Sequence, residues 1–151
     1  MLQRGTSGTT FRKMKSSPDD SVESSESPRA IVAGHGDFPD GIVSAVDQIS
    51  GRGGVFIPVS NRGLAARDIE SVLTETAASS RVSVIFTDLP GGSATLAVRR
   101  MMRANPNLVL VTGANLAALL EFVFQAAADP KSAAIIAAEK GRTALAASGG
   151  Q

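Results

Sequence analysis

The sequence predicts an α/β protein with an open, doubly wound, mostly parallel sheet of four to five strands flanked by helices. Three observations predict it. Short apolar runs alternate four times with stretches of helical periodicity, and the links between them are short. The third and fourth apolar runs are apolar at their centres, as in strands buried on both faces. Parallel strands joined through helices take right-handed crossovers, which specifies the doubly wound arrangement.

The elements follow in order. Ala30–Ala33 is the first strand. Pro39–Ser50 is a helix with Ile42, Val43, Val46 and Ile49 on one face, stopped by Gly51-Arg52-Gly53-Gly54. Val55–Val59 is the second strand, and its Pro58 predicts an edge position or a bulge. Arg67–Ser79 is a helix whose face is Ile69, Val72, Leu73 and Thr76. Val82–Thr87 is the third strand, and Ser93–Ala104 a helix with Ser93 as its expected N-cap. Leu108–Val111 is the fourth strand, and two Ala-rich helices close the chain, Asn115–Ala128 and Lys131–Ala147. No internal repeat is present.

Residues 1–28 have a different character. Basic residues (Arg4, Arg12, Lys13, Lys15) come first, acidic ones (Asp19, Asp20, Glu23, Glu26) follow, and Ser and Thr fill the gaps. With so few aliphatic side chains this stretch is expected to be a disordered tail ahead of one domain over residues 29–151.

Composition excludes several functions. The 151 residues contain no Cys and one His, which removes disulfides, thiol catalysis, zinc–thiolate sites and multi-histidine metal sites. A net charge of +1 and an aromatic content of 4% argue against a nucleic-acid partner. No apolar run approaches the roughly 20 residues that cross a bilayer, and the N-terminus has no signal-type apolar region. A cytoplasmic protein needing no metal or cofactor is the expectation.

In doubly wound sheets, sites form outside the carboxyl ends of the strands. The single histidine lies there, in Gly34-His35-Gly36-Asp37 after the first strand. The third strand ends in Thr87-Asp88-Leu89-Pro90-Gly91-Gly92-Ser93 and the fourth in Thr112-Gly113-Ala114-Asn115. If the first and third strands are neighbours, Asp88 faces His35. A carboxylate beside an imidazole fixes its tautomer and leaves the other nitrogen as a nucleophile. Gly91, Gly92 and Ser93, leading into a helix N-terminus, suit the binding of a phosphate. Each feature has an ordinary structural use alone; together they are the parts that accept a phosphoryl group. Asp37 and Asp40 suit the start of the first helix through its dipole. Arg99, Arg100 and Arg103 read as a solvated helix face, with partner docking as the second reading.

These residues resemble the enzyme IIA domain of the mannose family of the bacterial phosphoenolpyruvate-dependent sugar phosphotransferase system. The resemblance runs over residues 29–147 and rests on Ile31-Val32-Ala33-Gly34-His35-Gly36, Phe86-Thr87-Asp88-Leu89-Pro90-Gly91-Gly92-Ser93, and Val111-Thr112-Gly113-Ala114-Asn115-Leu116 with the helix behind it. It implies that His35 takes phosphate from the carrier protein HPr and passes it to an enzyme IIB partner during sugar uptake. It also implies that Asp88 bonds the other ring nitrogen, that Gly92 and Ser93 hold phosphoryl oxygens, and that the protein is a homodimer. The sequence departs from the family in Ala94, Thr95 and Leu96, where Pro and then Asn commonly follow Gly-Gly-Ser, and in its long leading segment. Ser60-Asn61-Arg62-Gly63 matches no pattern with an assignable role.

Related chemistry is shared by the phosphotransferase subunit of dihydroxyacetone kinase and by regulatory phosphohistidine proteins. The glycine pair before Ser93 favours the sugar-transport type. A response-regulator receiver needs an acidic pair after its first strand and a lysine near its fifth, and the domain's lysines are Lys131 and Lys140 in the last helix. A flavodoxin-like small-molecule binder needs a Ser/Thr-rich first loop and aromatics around its ring, and the sequence has neither.

Overall fold

The computed structural model describes residues 26–150. Four strands, β1 (Ala30–Gly34), β2 (Phe56–Ser60), β3 (Val84–Thr87) and β4 (Val109–Val111), form one sheet in the order β2-β1-β3-β4. All neighbours are parallel; Ala30 pairs with Phe56, Ile31 with Ile85, and Val84 with Val109. Five helices flank the sheet: α1 (Phe38–Ser50), α2 (Ala66–Ser80), α3 (Ser93–Ala104), α4 (Leu116–Phe124) and α5 (Pro130–Ala144). This is the α/β architecture expected, with four strands. The expected tail lies outside the described residues up to position 25.

The period-2 alternation of the strands divides the core between two faces. Ala30, Val32, Val84 and Phe86 point toward α1, α4 and α5, whereas Ile31, Ala33 and Ile85 meet α2 and α3. On the first face Phe56, Phe86 and Phe122 form a triangle with ring centroids 5.3–6.0 Å apart. Each such aromatic pair adds about 0.5–1.5 kcal/mol beyond the area it buries.

Pro58 lies on the edge strand, opposite Val32. At the end of that ladder the Asn61 amide donates to the Gly34 carbonyl at 2.9 Å. Counting back by twos, Val59 and Ile57 turn their backbone groups to β1, so Pro58 turns its missing N–H to the open side.

Several boundaries differ from expectation for local reasons. Val55 belongs to a short 3₁₀ turn, Gly53–Val55, so β2 begins one residue later. Arg81 ends α2 in the left-handed region (φ 56°) and its successor Val82 donates back to Ala77, which delays β3 to Val84. Helix α4 stops at Phe124 and not at Ala128, and two guanidinium groups take carbonyls at its end and in the turn that follows it. Arg29 donates to Gln125 and Ala128 at 3.4 and 3.0 Å, and Arg52 to Val123 at 2.9 Å. Cations at a helix C-terminus also complement its dipole. Partial burial and the nearby Arg52 lower the pKa of Arg29, while Glu26 opposes the shift. Glu26 itself pairs with Arg52, with its oxygen 2.6 Å from Nε. Helix α5 starts at Pro130 behind Asp129, whose carboxylate accepts from the Ser132 amide at 3.1 Å. It stops at Ala144, ahead of Leu145, which is 87% exposed and so buries little to hold a further turn.

Candidate active site

Strands β1 and β3 are neighbours, so their carboxyl ends open into one crevice. Beyond Gly34 the chain turns sharply: Gly36 takes φ +53°, a conformation costly for other residues, and the Phe38 amide donates to the His35 carbonyl at 3.0 Å. This turn puts His35 at the surface, with 52% of its side chain exposed.

Asp88 leaves the end of β3 and reaches across to this turn. Its Oδ2 accepts from the His35 backbone amide at 2.8 Å and lies 2.8 Å from ring Nδ1. One carboxylate oxygen therefore orients both the backbone and the ring of the same residue. The bond places the ring proton on Nδ1 and leaves Nε2 with a lone pair. Asp88 is well covered, 11% exposed, and its Oδ1 is buried without a hydrogen-bond partner among the described residues.

Two glycines make the approach possible. A Cβ on Gly34 would lie 2.6 Å from both Cγ and Oδ2 of Asp88, well inside contact distance. A Cβ on Gly92 would lie 3.0 Å from His35 Cε1. The edge of the ring thus rests on Gly92, the N-cap of α3, with Cε1 as the ring atom nearest to it.

Gly92, and not Ser93, is the N-cap of α3; Ser93 is its first helical residue and makes no capping bond. Its hydroxyl oxygen instead accepts from Asn61 Nδ2 at 3.0 Å. The amides of a helix's first turn have no intrahelical partner, so those of Ser93 and Ala94 stay available beside the ring. Gly91 is exposed in the turn before them.

The loop between β3 and α3 is held by a device that sequence reading missed. Thr87 and Thr95 are fully buried, their hydroxyls 2.6 Å apart, and Thr95 donates to the Leu89 carbonyl. Thr87 must then donate to Thr95. This chain of hydroxyls fixes the backbone on either side of Asp88. Its sequence signal is two threonines at an interval of eight, both otherwise unexpected at apolar positions.

Asn61 and Ser60 were also missed. Ser60 Oγ donates to the Gly36 carbonyl at 2.7 Å, so the loop after β2 touches both the His35 turn and α3. The Asp37 carboxylate pairs with Arg62 at 3.0 Å, and Arg100 bonds Glu70 on α2 at 2.6 Å. The segment after β4 is engaged elsewhere. Asn115 caps α4 by accepting from Ala118 at 3.0 Å and donates to the Gly141 carbonyl of α5 at 2.8 Å. A cavity of about 270 Å³ between these elements, lined by Thr112, Gly113, Asn115, Gly141 and Arg142, stands apart from His35. Among the described residues no cluster of His, Asp and Glu is suited to a metal, and no helix is long and apolar enough to cross a membrane.

A parallel α/β scaffold with an exposed, carboxylate-oriented imidazole beside a helix N-terminus can present a nucleophilic nitrogen at the carboxyl edge of its sheet. Residues 29–139 match the family described as PTS system fructose IIA component, EIIA-man. The chain therefore belongs to the mannose-type IIA components of the phosphoenolpyruvate-dependent sugar phosphotransferase system.

Solved structures share the fold. The mannose/sorbose-specific IIA subunit of the phosphotransferase system from Enterococcus faecalis superposes with a TM-score of 0.70 at 19% identity, covering 82% of this chain and 96% of that one. A putative phosphoenolpyruvate-dependent sugar phosphotransferase permease from Klebsiella pneumoniae gives 0.68 at 20% identity, with 80% and 90% covered. The EIIA component from Streptococcus agalactiae gives 0.63 at 23%, with 75% and 93% covered. A search of curated protein sequences gives no match.

Proposed function

We propose that this protein is a phosphocarrier that accepts a phosphoryl group from HPr on Nε2 of His35 and passes it to an enzyme IIB partner. The observation that carries this reading is the 2.8 Å contact between Asp88 Oδ2 and Nδ1, which leaves Nε2 free at the surface. The Nε2 lone pair attacks phosphorus, a P–Nε2 bond forms, and the P–N bond to the donor histidine breaks as that histidine leaves. The proton on Nδ1 stays in place, so the phosphorylated ring is cationic and faces Asp88. The partnerless Oδ1 fits this cycle, because a buried charge short of hydrogen bonds is best compensated once the ring becomes positive. Ser93 Oγ and the amides next to Gly91 and Gly92 take the phosphoryl oxygens. Transfer to enzyme IIB is the same displacement with His35 as the leaving group.

Family membership supports the wider reading: a cytoplasmic component of sugar uptake working with HPr, enzyme IIB and a second copy of itself. The match over residues 29–139 also supports one carrier domain that begins at residue 29. The test is to incubate the protein with phosphoenolpyruvate, enzyme I and HPr and to measure its intact mass. Wild type gains one acid-labile phosphoryl group and His35→Ala gains none. A His35→Ala protein that is still labelled would refute the assignment.

A further inference from the structure

The loop Ser60-Asn61-Arg62-Gly63 is placed where it serves the same site. It is fastened on both sides: the Asn61 amide donates to Gly34, Ser60 Oγ donates to Gly36, and Asn61 Nδ2 donates to Ser93. The Arg62 amide closes the loop onto Ser60 Oγ at 3.1 Å. The backbone of Arg62 is thus anchored beside the His35 turn, while its side chain is 67% exposed. Its Nη2 lies 3.4 Å from where a Cβ of Gly36, the residue after His35, would be. Among the described residues, it is the cation that the ion pairs bring to this turn. Its partner there, Asp37 Oδ1 at 3.0 Å, is 85% exposed.

Phosphorylation of His35 would add a dianion to a turn that already carries two carboxylates, Asp37 and Asp88. Exposed ion pairs are weakly held, whereas a guanidinium and a phosphoryl group bond strongly through parallel N–H donors. The geometry points to Arg62 as the phosphoryl-binding cation of the site, released from Asp37 when His35 carries phosphate. This inference rests on the phosphocarrier reading. Asn61 has a positioning role: because it donates to Ser93 Oγ, the Ser93 hydroxyl proton remains as a donor to the same group.

The test compares the two partners of the ion pair, using phosphoramidate as a small phosphoryl donor so that protein docking does not enter. Phosphoramidate loses ammonia as its phosphorus bonds Nε2, and intact mass follows the rate. Arg62→Gln is expected to slow labelling about ten- to hundredfold, the value of a charge-assisted hydrogen bond, with Arg62→Lys in between. Asp37→Asn, which frees the guanidinium, is expected to be about two- to threefold faster than wild type. If the pair were only structural, both variants would slow alike, and that result would overturn the proposal. So would Arg62→Gln labelling at the wild-type rate. A wild type that takes no phosphate from either donor brings down the phosphocarrier reading itself, a failure distinct from these.

Discussion

The carboxyl edge of the sheet has two ends built from similar parts and put to different use. Beyond β4 a glycine turn leads through Asn115 into α4, next to the cavity of about 270 Å³. Beyond β1 and β3 a glycine turn and a glycine pair frame His35 on an open surface. The proposed chemistry lies at the more open place. Asn115 has both ends of its side chain engaged, one on the Ala118 amide and one on the Gly141 carbonyl, so it holds α4 to α5. At the β1/β3 end polar groups keep bonding capacity that is unused among the described residues: Nε2 of His35, Oδ1 of Asp88 and the first amides of α3. On the proposed reading, reactivity follows unused hydrogen-bonding capacity more closely than it follows concavity.

Substitutions at the two ends should therefore separate function from stability. The largest effect is expected for Gly34→Ala, which leaves both His35 and Asp88 in the sequence. Its methyl collides with the Asp88 carboxylate, so phosphorylation from HPr should fall by more than about a hundredfold, with overpacking costing about 1–3 kcal/mol in a denaturant melt. Normal labelling would mean that the Asp88 contact does not matter. Asp88→Asn comes next: the fold is retained, but the ring loses its negatively charged neighbour, and transfer slows about a hundredfold in rapid-quench assays.

At the other end, Asn115→Ala should lower stability by about 1–3 kcal/mol through the lost cap and the unpaired Gly141 carbonyl. Its labelling rate at 25 °C should match wild type, and a slowed rate would erase the contrast between the two ends. The smallest effect is expected for Ser93→Ala, about threefold in rate, because the helix amides remain.

Features that depend on local pattern were readable in the sequence. The central strands announce themselves as apolar runs, Pro58 places β2 at an edge, and the order of the strand-end motifs brings His35 and Asp88 together once β1 and β3 are neighbours. Features that depend on distant contacts were not readable. No local rule pairs Asn61 with Ser93, 32 positions apart, or the turn after α4 with Arg29, far upstream. Ser93 was misassigned as a cap because Ser is a favoured N-cap residue, yet here Gly92 has the cap geometry and the serine is drawn to Asn61. Asn61 and Arg62 went unread because their partners belong to other elements, distant in the chain.

Pro58 has one more consequence. A foreign strand arriving on that flank meets a gap in the row of donors, so the flank makes a poor template for chain-to-chain stacking. At high concentration, unwanted fibre growth is thereby discouraged along the side of the sheet that carries the Arg62 loop, and that loop stays open to whatever it must meet.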